Sequence, residues 1–538
     1  ARVLPVGDWR IPLKAGKVEN LRRGATFWVD LGKAGVPCTV LRMPANFPPT
    51  DADALSLSGL GTPDIHGSYG IFSLFTNDRK ETTRDVSGGH IDKVFIKNHT
   101  IECRLRGPIN SFRADGRDEY APFTVHIDPV NPLVRITVQD SPFILKEGEW
   151  SEWIRVAFPL MPLAGEVSTI CRFHLKSARN PFSLYVSPLN MDPESPALPI
   201  STPPDYARDL ARRIGPFYTQ GMPPDTNALS AGVFDDRLYR EQATFVLREE
   251  QRMFETELSR FSGGFFFSYF CSLDLNSHVF WRTLDPQHPA YTPELAKTQG
   301  DFIPWLYEQM DKVIGRGLER MDRDTLLMVC SDHGFGPFRR QFQLNSWLMD
   351  NGYAAPLRPL LRGSESYFAD IKWSATKAYG LGINSLYLNL RGREPNGCVA
   401  PGASARALEN ELITRLTALR DPATGEAVIA RVCRPADIYS GPCTAKAPDL
   451  IIGYNRGYRA SWDTILGKYP KGEHILDNTE PWSGDHAMDS TLMPGVLLAS
   501  RPIMNQSPAL SDMAPTILRA FDVRTPDTMT GKAVLDAG

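Results

Sequence analysis

The chain has 538 residues, of which 42% are apolar and 22% charged, and its 59 Lys and Arg against 62 Asp and Glu leave a net charge of −3. That length and apolar fraction suit a large core or two to three domains and exclude a disordered chain. The near balance of charge, with no long basic run, argues against a general nucleic-acid or membrane-surface binder.

No apolar run approaches the roughly 20 residues that cross a bilayer, and the amino-terminus "ARVLPVGDWR" lacks the charged-then-apolar profile of a signal peptide. The eight cysteines, Cys38, Cys103, Cys171, Cys271, Cys330, Cys398, Cys433 and Cys443, show no CxxC or zinc-finger spacing. Neither a zinc ribbon nor a dense disulfide framework is indicated. Cys271 and Cys330 stand in apolar, strand-like runs and are expected as buried thiols. Cys433 and Cys443 are close enough in sequence to be bridged in an oxidising compartment, and their state stays open.

In chain order, "ATFWVDLGKAGV" predicts a helix with a glycine stop and "PCTVLRM" a strand. Residues 44–70 then read as a loop rich in Pro and Gly. From about 80 to 195 short alternating runs, "KVFIKN", "IECRLRG", "FTVHIDP", "LVRITVQ" and "FSLYVSP", predict an antiparallel β-domain. After the proline-rich linker "PLNMDPESPALPISTPPD", helices are expected in "YARDLARRIG" and over 235–260, a strand in "GGFFFSYFCSLD", a helix over about 293–321 and a strand in "TLLMVCSD". The rest offers a helix in "QLNSWLMDNG", a loop-rich stretch to about 400, a helix at 403–419, short strands near 427–433 and 449–453, a core strand in "GVLLAS" and a last helix in "LSDMAPTILRAF". Strand–helix alternation of this kind predicts an α/β fold with a mostly parallel sheet between helices. The β-domain interrupts it, so the expected divisions are 1–79, 80–195 and 196–538.

Three strand–loop junctions carry metal-ligating residue types. In "FCSLDLNSHVFW", Asp274 and His278 are four residues apart, so a helical turn would put both on one face. Ligands in α/β folds gather where strands end and helices begin. Asp332 and His333 follow the apolar run ending at Cys330, with Gly334 and Gly336 to permit a turn. His486 follows a Gly-Asp pair in "WSGDHAMDS". Each has an ordinary reading too: an Asp near a helix N-terminus, a capping Asp, a lone loop histidine. Their recurrence at three junctions is harder to explain that way.

The order D-x3-H, then S-D-H-G after an apolar strand, then G-D-H near the carboxyl end resembles the alkaline phosphatase superfamily, in its type I phosphodiesterase and nucleotide pyrophosphatase branch. The phrases "SLDLNSHVFWRTLDPQHP", "SDHGFGPFRRQFQLNSWL" and "APDLIIGYNRGYRASWDTILG" are similar to a bacterial subgroup of it. The resemblance covers most of the chain outside the β-domain. It implies an alkaline-phosphatase-like α/β core and two divalent ions, zinc before others. Position by position, Asp274, His278 and His486 match the ligands of one ion, and Asp332 and His333 match two ligands of the other. Mixed carboxylate and imidazole donors suit zinc, and two ions about 4 Å apart clamp an in-line phosphoryl displacement.

The family pattern also has a strand ending in Asp, then a Ser or Thr nucleophile, ahead of the region matched by "ATFWVDLGKAGVPCTVLRMPANFPP". No strand-Asp-Gly start stands before it here; Thr62, Ser68 and Thr76 come too late in the chain, and Asp8 and Asp30 do not fit. The resemblance therefore puts the nucleophile upstream of Ala1. Arg282, Arg339 and Arg340 could offer forked donors to a phosphate. His288 and Asp485 are supporting or structural candidates, Trp281 and Trp482 are expected to pack, and His66, His90, His99, His126 and His174 are expected to be structural.

The expected activity is phosphoester hydrolysis of the phosphodiesterase or pyrophosphatase type. Its partner would be a small phosphoester, a nucleotide or a lipid or glycan headgroup, with no nucleic-acid binding. Loops 355–400 and 455–480 would shape specificity. Rivals are a sulfatase-like or phosphotransferase member of the superfamily, and a non-catalytic scaffold whose β-domain binds a partner. A periplasmic or membrane-associated extracytoplasmic site is favoured over the cytoplasm, because related bacterial proteins are often exported.

Overall fold

A computed structural model describes residues 3–14, 16–161, 165–363 and 366–535. The architecture is mixed α/β, with several sheets, thirteen α-helices among the described residues and a β-rich region. The chain forms two compact units, Ala1–Leu275 with Glu308–Leu327 and Ala499–Gly538, and Asn276–Tyr307 with Met328–Leu498.

In the first unit the strand Cys38–Met43 pairs in parallel with Leu55–Ser58 on one side and Phe265–Ser268 on the other, and Ser201–Thr202 adds an antiparallel edge. Val40 and Leu41 are fully buried, as expected of a central strand covered on both faces. The helix Tyr206–Ile214 buries Tyr206, Ala207, Leu210, Ala211 and Ile214, a stripe at helical spacing that packs on Leu41, Leu57 and Met253. The four-stranded meander Thr100–Ile109, Asp118–Ile127, Leu133–Val138 and Ser141–Lys146 alternates instead with period two: Ile101, Cys103 and Leu105 point inward beside Phe123, Val125, Val134 and Ile136.

In the second unit the strand Gly336–Phe342 lies between Gly457–Ala460, parallel to it, and Ile475–Asp477, antiparallel; its start pairs with Gly484–Asp485. A second sheet, Ala378–Gly380, Ser385–Leu388, Leu450–Tyr454 and Ile429–Cys433, shares a core with the helices Leu344–Asp350 and Ala403–Thr417. The helix Ser272–Phe280 contains the boundary between the two units, which falls after Leu275.

Several elements differ from expectation. The helix expected over 293–321 is two, Pro293–Gln299 and Phe302–Glu319. Pro304 has no N–H to donate and its ring would meet the carbonyl of Gly300, so a helix containing it must restart just before it. "KVFIKN" is not a strand: Gly89–Lys93 ends where it begins, and Phe95 is exposed. A strand, Leu55–Ser58, lies within the expected loop 44–70, its Leu–Ser alternation masked by flanking Pro and Gly. Cys271 is buried, but Cys330 is exposed: among the described residues its three-residue strand Met328–Cys330 pairs with Leu497–Ala499 alone. Leu498, in the run expected as a core strand, is exposed as well. All eight cysteines are free, Cys433 and Cys443 included. Among the described residues no helix is long and apolar enough to cross a membrane.

Candidate metal centre

The helix Ser272–Phe280 begins just past the end of the parallel strand Phe265–Ser268. Its start is held by one buried carboxylate: Glu250 Oε1 accepts from the Cys271 N–H at 3.2 Å and from its thiol at 2.9 Å, and Oε2 accepts from the Ser272 hydroxyl at 2.6 Å. A negative charge there also suits the positive end of the helix dipole. Burial and the Glu250 charge push the Cys271 thiol well above its ordinary value, so it stays protonated and donates.

One turn along, Asp274 and His278 share a face of this helix, and His486 meets them: the possible ligand atoms of the three lie within 4.8 Å of one another. His278 is 3% exposed. Its Nδ1 lies 2.7 Å from the Gly484 carbonyl, which can only accept, so Nδ1 carries the proton and Nε2 presents the lone pair. The ring stacks on Trp482 at 3.8 Å and meets the edge of Phe335 at 4.7 Å. Burial, opposed by the Asp485 carboxylate, lowers its pKa to about 3. The imidazole is therefore neutral at neutral pH, the state in which a histidine binds metal.

Among the described residues, the group whose ligand atoms converge does not include Asp332 or His333, although His333 lies against His486. The His333 ring stacks on that of His486, with centroids 3.5 Å apart and planes 13° from parallel. Asp332 Oδ1 is 3.5 Å from His333 Nε2, and the Asp332 side chain is 52% exposed. The His486 pKa is lowered, first by burial and then by His333, against the pull of Asp485 and Asp332. Gly334 and Gly336 have a role different from the expected turn. Neither has positive φ; a Cβ on Gly334 would come 2.4 Å from the Pro494 carbonyl oxygen, so the position needs a bare backbone.

The loop that carries His486 is built around Asp485. Its Oδ1 accepts from the backbone N–H groups of His486 and Ala487, both at 2.8 Å. Its Oδ2 accepts from Arg459 at 2.6 Å and from Trp482 Nε1 at 2.9 Å. Burial alone would raise this carboxyl; the Arg459 guanidinium and the hydrogen bonds outweigh it and hold Asp485 well below the usual carboxylate range. Arg459 is itself 1% exposed, between the rings of Phe338 at 4.6 Å and Trp462 at 4.1 Å. Ser483 ties the same loop to the helix, donating from its N–H to the His278 carbonyl at 2.6 Å. Gly484 is required by close approach: a Cβ would lie 2.7 Å from the Ser277 carbonyl oxygen and 2.8 Å from Phe335 and Trp281.

The three arginines fare differently. Arg339 holds Asp285 with both arms of its fork, at 2.6 and 2.8 Å. Arg340 does the same to Asp421, at 2.8 and 3.1 Å, and also bonds Asp477. Arg282 follows the site helix and its backbone N–H donates to Ser483 Oγ at 3.0 Å. His288 is structural, donating from Nε2 to the Phe338 carbonyl and accepting from the Ala290 N–H. Trp281 stacks on Phe335, and Trp482 on His278. Thr62, Ser68 and Thr76 donate to Gly59, Asp64 and Phe182 respectively. Sequence reasoning missed Arg459 and Glu250; the only signal for Arg459 was its place in "GYRASW", a charged residue inside a strand.

The donor set fits a divalent metal ion: one carboxylate and two imidazoles converge, one imidazole has its tautomer set by a carbonyl, and three protein ligands leave room for substrate. No curated protein and no solved structure matches the chain. The family model for type I phosphodiesterase / nucleotide pyrophosphatase matches residues 174–476, more than half of the sequence, and spans Asp274, His278, Asp332 and His333, with His486 following it. On that match and the alkaline-phosphatase-like α/β fold, the chain belongs to the type I phosphodiesterase / nucleotide pyrophosphatase family, whose members are phosphoester hydrolases and typically metal-dependent.

Proposed function

We propose that the protein hydrolyses phosphodiesters or pyrophosphates at a two-zinc centre. Asp274, His278 and His486 hold one ion, and Asp332 and His333 contribute to the other. The observation that carries this reading is the convergence of the three ligand groups within 4.8 Å, with His278 and His486 both oriented by the segment Gly484–Asp485. A bound ion pair supplies Lewis acidity to the phosphoryl oxygens and lowers the pKa of an attacking hydroxyl. The chain's own part is to keep two imidazoles neutral, to hold Asp274 as the anionic ligand, and to wall the site with Trp482 and Phe335 so that fixed groups replace bulk water.

The family's Ser or Thr nucleophile is assigned to no residue here. The Arg339 and Arg340 forks already hold the carboxylates of Asp285 and Asp421. The substrate class is a small phosphoester; a nucleotide or a lipid or glycan headgroup meets that description. A periplasmic or otherwise extracytoplasmic setting is part of the same reading.

The test is elemental analysis of the natural full-length protein combined with hydrolysis of bis(p-nitrophenyl) phosphate and of p-nitrophenyl phosphate. Expected are two zinc per chain, turnover of the diester above the monoester, and loss of at least ~100-fold in kcat for His486→Ala and Asp274→Asn, as removal of a central charge-stabilising group entails. A folded, metal-loaded protein that ignores the diester, or whose His486→Ala variant keeps full activity, overturns the proposal.

A further inference from the structure

The first unit contains a cleft of about 450 Å³, within the size range of small-molecule sites, lined by His66, His90, Arg106 and Asp118, which lie near enough to act on one another's charge, and by Ile65, Ile71, Ile109, Met191 and Leu198. Arg106 and Ile109 come from the strand Thr100–Ile109, where the pairing with Asp118–Ile127 slips between these two residues. Such a bulge re-aims side chains that a regular strand would alternate across its faces. His90 comes from a different strand, Gly89–Lys93, and His66 from a loop.

The loop is rigid for a stated reason. Buried Asp64 gathers it by accepting from the N–H groups of His66, Ser68 and Ile71 and from the Ser68 hydroxyl, at 2.8–3.0 Å. Its carboxylate is thereby spent on the loop, and the cleft wall is formed in advance of any ligand.

The polar group has donors to spare. Arg106 Nε is 3.7 Å from Asp118 Oδ2, close enough for an ion pair and too far for a hydrogen bond. Among the described residues, the Arg106 guanidinium and the His66 and His90 rings make no side-chain hydrogen bond inside the protein. Burial lowers the pKa of both histidines, His66 and His90, so each ring at neutral pH offers one N–H and one lone pair. A fork of guanidinium N–H groups near two imidazoles matches a planar or tetrahedral oxyanion, and the aliphatic lining residues match an alkyl or aryl body.

We propose that this cleft binds an amphiphilic oxyanion, a carboxylate or phosphate monoester carrying an apolar chain, with its head on Arg106, His66 and His90 and its chain along Ile65, Ile109 and Leu198. The proposal is independent of the metal centre and of the reaction assigned to it. Carboxylate and phosphate heads share the recognition chemistry, and the experiment separates them.

Decanoate, decyl phosphate, decanol and acetate are titrated calorimetrically into the metal-loaded protein. At least one decyl anion is expected to bind at least tenfold more tightly than both decanol and acetate, and the tighter of the two identifies the head. Arg106→Gln is expected to weaken that anion at least tenfold while leaving decanol unchanged, and Ile109→Ser, at an exposed position that cannot unfold the strand core, to reduce the advantage of decyl over hexyl chains. His90→Asn, which keeps a donor but shortens its reach, is expected to weaken the anion about threefold and covers the case in which Arg106→Gln lowers the melting temperature. Absence of binding by both decyl anions, equal binding of decanol, or indifference to both head-group substitutions overturns the proposal.

Discussion

Each of the two units buries carboxyl groups beside an arginine held among aromatic rings, and the outcome is opposite. In the first unit Arg172 lies 4.4 Å from the Phe245 ring with Trp150 and Trp153 around it, and donates from Nε to the Ser151 carbonyl rather than to an acid. The acids nearby are served by neutral donors: Glu249 by Trp153 Nε1 and the Tyr218 N–H, Asp225 by the Tyr185 hydroxyl and the Ala228 N–H. Burial wins over those bonds, and the pKa values rise to about 7 for Glu249 and about 6 for Asp225. In the second unit Arg459 binds Asp485 directly, and that carboxyl stays ionised. Desolvation beats neutral hydrogen bonds and loses to a bonded guanidinium. The carboxylate that a guanidinium keeps ionised is the one next in the chain to His486, a candidate metal ligand.

The largest effect separating the two arrangements is expected from their arginines. Arg459→Met strands a buried carboxylate and should cost about 3–5 kcal/mol in urea unfolding, as breaking a buried pair does; Arg172→Met, whose neighbouring acids can take up protons, should cost about 1–2 kcal/mol, the scale of a desolvated cation–π contact. Equal costs would erase the distinction. Next in size is Gly484→Ala. The added methyl must displace the Ser277 carbonyl, the Phe335 ring or the Trp281 Cβ, so the carbonyl that orients His278 moves; zinc affinity, read by chelator competition, should fall about 10–100-fold.

A smaller effect concerns pH. Glu249 and Asp225 titrate at about 7 and about 6 in the folded protein against 4.5 and 3.8 as free side chains. Between each pair of values the folded state keeps a proton that the unfolded chain has released. Their contribution to stability is therefore greatest in acid, declines as pH rises, and levels off above about 7. Urea midpoints should show this decline between about pH 4 and 7, and Glu249→Gln, which cannot ionise, should flatten it. The smallest change is expected for Trp482→Phe. It keeps a ring on His278 but removes one donor to Asp485, a loss of about 1 kcal/mol.

Legibility followed the range of the interactions. Asp274 and His278 could be placed on one face from sequence because four residues make one helical turn, and nothing beyond the helix is needed to see it. The strand Leu55–Ser58 and the break between Gln299 and Phe302 were also local matters, and were missed because a single periodicity or a single composition was read across several residues. Arg459 could not be read. A cation within the strand Gly457–Ala460 looks like an edge residue until Asp485 is known to lie against it, and the two are brought together by pairing of both segments with Gly336–Phe342. Arg339 and Arg340 were misleading for the same reason: their partners Asp285 and Asp421 are distant in sequence, so two forks that read as open are already engaged.

The Cys271 thiol, sealed against Glu250 at the first turn of the site helix, gives the molecule a built-in clock. Cys330 and Cys443 are exposed and should consume a thiol reagent at once, whereas Cys271 can react only in the moments when that turn comes undone. The slow phase of alkylation, assigned to Cys271 by mass spectrometry, would then count how often the first turn of the helix that carries Asp274 and His278 breathes, and any further slowing by added zinc would report binding to that helix.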